Sequence, residues 1–173
     1  RGSIPTPDHS SRIFGGNTSC VEVRTDEAVF ILDAGTGIRR LGSDLMTRGV
    51  QDLSINFFFS HPHWDHIQGF PFFTPAYIPG TTLNVYDAGS DHKIADLLSG
   101  QMSSGYFPVD FKDLGANIKA RQLGEGKEVI DGMQVSYLKQ VHPGGSFAYA
   151  LERDGHKVVY ATDSEVDAHF KSG

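Results

Sequence analysis

Cysteine is almost missing from this chain: Cys20 is the single one among 173 residues. With no second thiol there is no internal disulfide and no cysteine-based zinc knuckle, and a reducing, cytoplasmic setting is the expectation. Basic runs are equally scarce. None is longer than Arg39-Arg40 and the formal net charge is −6, so no basic face for holding long nucleic acid through several phosphate contacts is expected. No apolar stretch approaches the roughly 18 residues of a membrane span, and the N-terminus lacks the basic, apolar, small-residue order of a signal peptide. No membrane partner is therefore expected. Fixed-period repeats, low-complexity tracts and Pro/Ser-rich linkers are absent too. What remains is an ordinary globular composition, 39% hydrophobic and 21% charged, at a length sufficient for one core. Residues 1–173 read as a single domain. The start at Arg1, with no initiating methionine, reads as part of a longer protein.

Apolar runs closed by turn residues punctuate the first half. "AVFILDAGTG" (28–37) reads as a buried strand ending in a turn, and "IRRLGSDLMTRG" as a helix with Ile38, Leu41 and Leu45 on one face. "LSINFFFS" and "TTLNVYDAG" read as further strands, with a second helix in "DHKIADLLSGQM". Strands dominate afterwards: "NIKARQL", "MQVSYLKQVH", "SFAYALE" and "HKVVYATD", the last two joined by a hairpin turn at Asp154-Gly155. Alternation early and strands late predict an α/β domain with sheet packed on sheet and helices outside.

Directly after the phenylalanine-rich strand stands "HPHWDH", residues 61–66. In an extended segment residues two apart point the same way, so His61 and His63 can grip one ion together. Asp65 points back near that space and His66 opens a new turn, which suggests a second ion beside the first. The spelling H-x-H-x-D-H arises by accident in a chain of this length roughly once in a thousand times. Two further polar residues close strands: His142, before the tight "PGGS", and Asp163, after "VVYAT". Asp33, ending a buried strand, needs a partner; it either orients a ligand histidine or caps the following helix. His9, His92 and His156 read as solvated. His169 is a weaker ligand candidate. The aromatics of "FPFFTPAYIP" (70–79) read mainly as packing, with a pocket mouth that stacks on a base as the alternative, and the "GTG" at 35–37 reads as a turn more than a phosphate cradle.

Together, "SHPHWDH", "HPGGSFAY", "YATDSE" and "GGNTSC…ILDAGTG" resemble the metallo-β-lactamase-fold hydrolases, and within them the ribonuclease Z-like and cyclic-nucleotide phosphodiesterase-like branch. The resemblance spans nearly the whole chain. It implies a four-layer αββα sandwich and two divalent ions, zinc first, with manganese or iron as alternatives. His61, His63 and His142 would hold one metal, Asp65 and His66 the other, and Asp163 would bridge. Such proteins usually begin with a further strand and end with a further histidine ligand. The resemblance thus implies a sandwich incomplete at both chain ends, lacking the first strand and the C-terminal segment, with a weaker second metal site. True β-lactamases of this fold typically lack a histidine at the position of His66, and flavo-diiron proteins typically carry glutamate at that of His63. Glyoxalase II-like thioesterases share the hexad.

Three neutral imidazoles and an open fourth position describe a catalytic zinc, which makes hydroxide available near neutral pH. Asp65 is the candidate to orient that hydroxide. Two divalent ions outweigh the local carboxylates, so the pocket attracts an anion although the whole protein is acidic. A small phosphodiester, such as a cyclic nucleotide, is the expected substrate, with no residue assigned to bind it. The alternatives are a thioester or lactone hydrolase of the same fold, or a non-catalytic metal- or nucleotide-binding sensor. A homodimer covering an exposed sheet edge is a further expectation.

Overall fold

Val29-Phe30-Ile31-Leu32 are all buried and form one strand, β2 (Val29–Leu32), because a strand covered on both faces needs no polar alternation. The structure, a computed structural model, describes residues 2–49, 53–89, 93–165 and 167. Strand β2 lies antiparallel to the edge strand β1 (Val21–Arg24) and parallel to β3 (Ser54–Phe58). Parallel pairing continues through β4 (Thr82–Asp87) and β5 (Asn117–Gln122), completing a five-stranded sheet in the order β1-β2-β3-β4-β5.

Parallel neighbours require crossovers, and helices supply them. Helix α1 (Ile38–Thr47) connects β2 to β3, and α2 (Trp64–Ile67) with two short 3-10 turns lies between β3 and β4. Helix α3 (Ile94–Gln101) follows β4. Ile31, Phe57 and Val85 face this helical layer and pack with Ile38, Leu45, Ile94 and Leu98. The intervening residues Phe30, Leu32, Phe58 and Tyr86 face the other way, as the two-residue period demands.

Their partners come from a second sheet of four antiparallel strands: β6 (Lys127–Ile130), β7 (Met133–Gln140), β8 (Ser146–Arg153) and β9 (His156–Tyr160). Phe58 stacks on Tyr86 at 4.8 Å and lies 5.5 Å from Tyr149 of β8. The β8–β9 turn has Asp154 and Gly155 at φ 52° and 76°, the paired left-handed residues of a type I′ hairpin. The expected layering, helices on sheet on sheet, is thus present. No helix among the described residues is long and apolar enough to cross a membrane.

The turn after β2 brings the backbone to the site's edge. Ala34 N–H donates to the His66 carbonyl at 2.7 Å, and Gly69 N–H to the Ala34 carbonyl at 2.8 Å. At Gly35 a Cβ would collide with the Asp65 carbonyl oxygen, so only glycine permits this approach. Two amides of the "GTG" stretch are engaged: Gly35 N–H meets the Ser19 carbonyl at 2.8 Å and Thr36 N–H the Thr18 hydroxyl at 2.8 Å. The stretch works as a turn. The 70–79 aromatics are likewise mostly core, with Phe70 and Phe73 fully buried and Phe72 exposed.

Candidate metal centre

Parallel strands present ligands at their carboxyl ends, and here β3 delivers the cluster. Beyond Phe58 the chain stays buried through Phe59, Ser60 and His61, then turns at His63 into α2. His63 keeps an extended backbone, φ −60° and ψ 148°, and its ring reaches back so that Nδ1 lies 3.0 Å from His61 Nε2. On α2, Asp65 and His66 turn inward while Trp64 between them and His63 points outward, 70% exposed.

The second sheet contributes the rest. His142 follows β7 in a tight turn closed by Gly145 N–H to the His142 carbonyl at 2.8 Å, with Gly144 and Gly145 both at φ 80°. Asp163 follows β9, and Glu165 N–H donates to the Val141 carbonyl at 2.7 Å, which holds the two segments side by side.

The result is two groups of side chains. Ligand-capable atoms of His61, His63, His142 and Asp163 lie within 4.8 Å of one another, as do those of Asp65, His66 and Asp163. His142 Nε2 is 3.1 Å from His63 Nδ1. The two oxygens of Asp163 divide between the groups. Its Oδ2 lies 3.8 Å from His61 Nε2 and 3.7 Å from His142 Nε2, and its Oδ1 lies 3.5 Å from His66 Nε2. Asp65 Oδ2 is 3.2 Å from the same His66 nitrogen. All six residues predicted from the sequence therefore converge. His9 and His156 are exposed; His92 and His169 fall outside the described residues.

Asp33 organises the base of the cluster. Its side chain is fully buried, with Oδ1 accepting from Ser60 N–H at 2.7 Å. Oδ2 accepts from the Ser60 hydroxyl at 2.7 Å, the Tyr160 hydroxyl at 2.7 Å and His66 Nδ1 at 2.6 Å. With its Nδ1 proton given to Asp33, His66 directs Nε2 toward Asp65 and Asp163. Asp33 does not cap α1, whose N-cap is Gly37 with no side-chain bond. Ser60 and Tyr160 complete the network without a motif to mark them. A buried serine directly before the hexad was the available hint; nothing local marks Tyr160, 127 positions from Asp33.

Both groups fit divalent cations. His66 Nε2 is buried and has no well-aligned hydrogen-bond partner, although two carboxylates face it. Such an orphaned nitrogen beside anionic oxygens matches a cation's demand. In the first group, three imidazole nitrogens crowd one space, near the separation of about 3.3 Å that tetrahedral zinc-nitrogen bonds impose. Burial, aided by the neighbouring His66, His63 and His142, pushes His61 down to about 3, so its ring stays neutral with a lone pair to give. For His66 burial acts to lower the pKa, but the bond to Asp33 and the charges of Asp33, Asp65 and Asp163 outweigh it and raise the value. Burial, with Asp33 and Glu22 nearby, pushes the Cys20 thiol up to about 12, well away from the reactive thiolate at neutral pH.

These shifts predict how the metal-free protein responds to pH. His61, depressed on folding, binds its proton only in the unfolded chain between about 6.5 and about 3. Stability should therefore be lost as pH is lowered across that window, by up to about 1.4 kcal/mol per pH unit from this group. His66, raised on folding, contributes stability that is fully present below 6.5 and lost as pH rises through its folded value. Urea midpoints of chelator-treated protein should thus peak near neutrality. A flat profile from pH 4 to 7 would contradict the burial argument.

Tyr160 supports a second expectation. Its hydroxyl helps fix Asp33, and through Asp33 the direction of His66, so Tyr160→Phe should weaken a cation at the second group roughly tenfold while sparing the first. Stepwise zinc titration by calorimetry would check this. Equal weakening of both steps would count against it.

Residues 13–169 match the profile of the family described as the metallo-beta-lactamase superfamily. An RNase J-like protein of Methanocaldococcus jannaschii is 26% identical over 151 residues, covering 84% of this chain and 33% of the relative. Among solved structures, the metallo-beta-lactamase fold protein YhfI of Bacillus subtilis superposes with a TM-score of 0.57 at 19% identity, over 94% of this chain and 60% of that one. Human tRNase Z, short form, gives 0.60 at 17% identity, over 93% and 65%. The chain thus spans a third of the RNase J-like relative and under two thirds of either solved chain. The structural likenesses carry the fold, and the profile match carries the family: the chain belongs to the metallo-beta-lactamase superfamily.

Proposed function

We propose that the protein is a metal-dependent hydrolase that cleaves a small anionic phosphodiester at a binuclear centre, with zinc as the resident ion. His61, His63 and His142 would hold one ion, Asp65 and His66 the other, and Asp163 would serve both. The observation that carries this reading is the convergence of these six side chains on one face, around the orphaned Nε2 of His66. Ions bound there supply Lewis acidity and a water of lowered pKa. Two divalent ions outweigh Asp65 and Asp163, which leaves a positive pocket in an acidic protein and favours an anionic substrate.

The protein's own groups then do the following. Asp65, near the centre with 13% of its side chain exposed, orients the attacking water and takes its proton. Asp33 acts through His66, holding the tautomer that keeps Nε2 free for an ion. Relatives named as a tRNase Z and as RNase J-like support phosphodiester chemistry in this branch. A small substrate is preferred to structured RNA because the net charge of −6 comes with no basic run to engage several phosphates.

Residues 1–173 act as one domain, a reading supported by the core that both sheets share. Lone Cys20 suits a reducing cytoplasm. The edge strand β1 offers unpaired backbone groups, which a second copy would cover in a homodimer; a monomeric mass by sedimentation would rule this out. The function is tested with bis(4-nitrophenyl) phosphate on zinc- or manganese-loaded protein beside His63→Ala. Metal-dependent turnover abolished in the variant is the expected result. No turnover by protein with metal bound would redirect the reading to a thioester or lactone substrate, or to a sensor module.

A further inference from the structure

Ser60 follows three consecutive phenylalanines and is fully buried. A hydroxyl in such surroundings costs free energy unless it is hydrogen-bonded. Its backbone is held from two sides. Ser60 N–H donates to Asp33 Oδ1 at 2.7 Å, and the Ser60 carbonyl accepts from Phe147 N–H of β8 at 2.8 Å. The turn after β2 and the second sheet thus fix where the side chain sits. Ser60 Oγ lies 2.7 Å from Asp33 Oδ2 and 3.1 Å from His61 Nδ1. A hydroxyl has one proton to give and lone pairs to receive, whereas the Asp33 carboxylate has lone pairs alone. The short oxygen–oxygen contact therefore requires the serine proton between them, and this charge-assisted bond outcompetes one to a neutral imidazole. With that proton committed, Ser60 Oγ meets His61 as an acceptor. His61 Nδ1 must then carry the ring proton, and Nε2 keeps its lone pair, 3.0 Å from His63 Nδ1 and 3.8 Å from Asp163 Oδ2. The other imidazole nearby makes no competing claim. His66 Nδ1 is 3.3 Å from Ser60 Oγ but 2.6 Å from Asp33 Oδ2, so its proton goes to the carboxylate.

We propose that Ser60 is a positioning residue for the first group: its hydroxyl relays the Asp33 carboxylate to His61 and fixes the tautomer that leaves Nε2 free beside His63. One buried carboxylate thereby sets a ligand in each group, His66 directly and His61 through Ser60. This role rests on the two-ion reading of the centre and is independent of the substrate. It also divides the labour around Asp33. Tyr160 and Ser60 both donate to Oδ2, and Ser60 continues to His61. Loss of the Ser60 hydroxyl should thus injure the first group, the reverse of the pattern expected for Tyr160→Phe.

The tautomer is read first, without metal, by long-range proton–nitrogen NMR correlation on chelator-stripped parent protein labelled in its histidines, at neutral pH. A proton on His61 Nδ1 is expected. Ser60→Ala should lose that preference. In zinc calorimetry it should weaken the step that His63→Ala removes about tenfold and leave the other step within about twofold. Ser60→Thr keeps the hydroxyl and should restore both the tautomer and the affinity. Because the first reading uses the parent protein, it decides even where a variant folds poorly. A His61 protonated on Nε2 in the parent, or equal weakening of both zinc steps in Ser60→Ala, would overturn the relay. The two readings fail separately. Failure of the parent to bind zinc would remove the two-ion centre and leave the tautomer result standing; two bound zinc ions, with His61 protonated on Nε2 in the metal-free protein, would do the reverse.

Discussion

Asp33→Ala is expected to lose about 3–5 kcal/mol of stability. Its carboxylate has no exposed surface and accepts from Ser60 twice, from Tyr160 and from His66. Removing it strands four donors, one of them on a buried histidine whose pKa it holds up. The backbone adds to the loss, because Asp33 sits at φ 61°, a region that aspartate and asparagine tolerate and alanine does not. Asp33→Asn separates the two effects. Asparagine keeps the backbone and the size but points an N–H₂ at groups that already donate. It should fold, at a lower urea midpoint than the parent, and bind a cation at the second group more weakly. A midpoint for Asp33→Ala within 1 kcal/mol of the parent would mean that the network around Asp33 does not hold the site together.

Asp163→Ala should have the opposite profile. Its side chain is 41% exposed, so truncation leaves no buried cavity and should alter the stability of metal-free protein little. Yet its two oxygens face both groups, Oδ2 toward His61 and His142 and Oδ1 toward His66. Hydrolysis should drop on the order of 10³-fold, with both steps of zinc binding weakened. Steady-state kinetics and calorimetry on the same preparation would show this. Loss of only one metal-binding step would mean that Asp163 serves a single ion. The contrast between a stability residue and an activity residue, which face opposite nitrogens of the same His66 ring, follows from burial alone.

Much of this was legible in the sequence, for reasons that differ by element. Strands β2, β3 and β4 announce themselves because parallel strands buried on both faces are unbroken apolar runs. Strands β1 and β6 carry no such signal. Each has four residues, and Glu22, Arg24, Lys127 and Glu128 interrupt any apolar run. The hexad could be read because His61 and His63 share a side of an extended segment, a local property. His142 and Asp163 could be nominated from their places at strand ends. The contacts that unite them are set by how the two sheets pack, and no spacing along the chain encodes that. The same holds for Tyr160, whose bond to Asp33 joins β9 to the turn after β2. Among the aromatics, composition could not separate Phe70 and Phe73, which are core, from Phe72 and Trp64, which are exposed. Each face is decided by a tight turn and not by a regular period.

The central claim is that the protein holds two divalent ions between its sheets. Equilibrium dialysis of the chelator-stripped protein against zinc, followed by elemental analysis, tests it most directly. The account predicts two ions per chain for the parent and a loss of bound metal in His63→Ala, with the urea midpoint rising as the sites fill. Fewer than one ion per parent chain at saturating zinc, or the same content in His63→Ala, would contradict it.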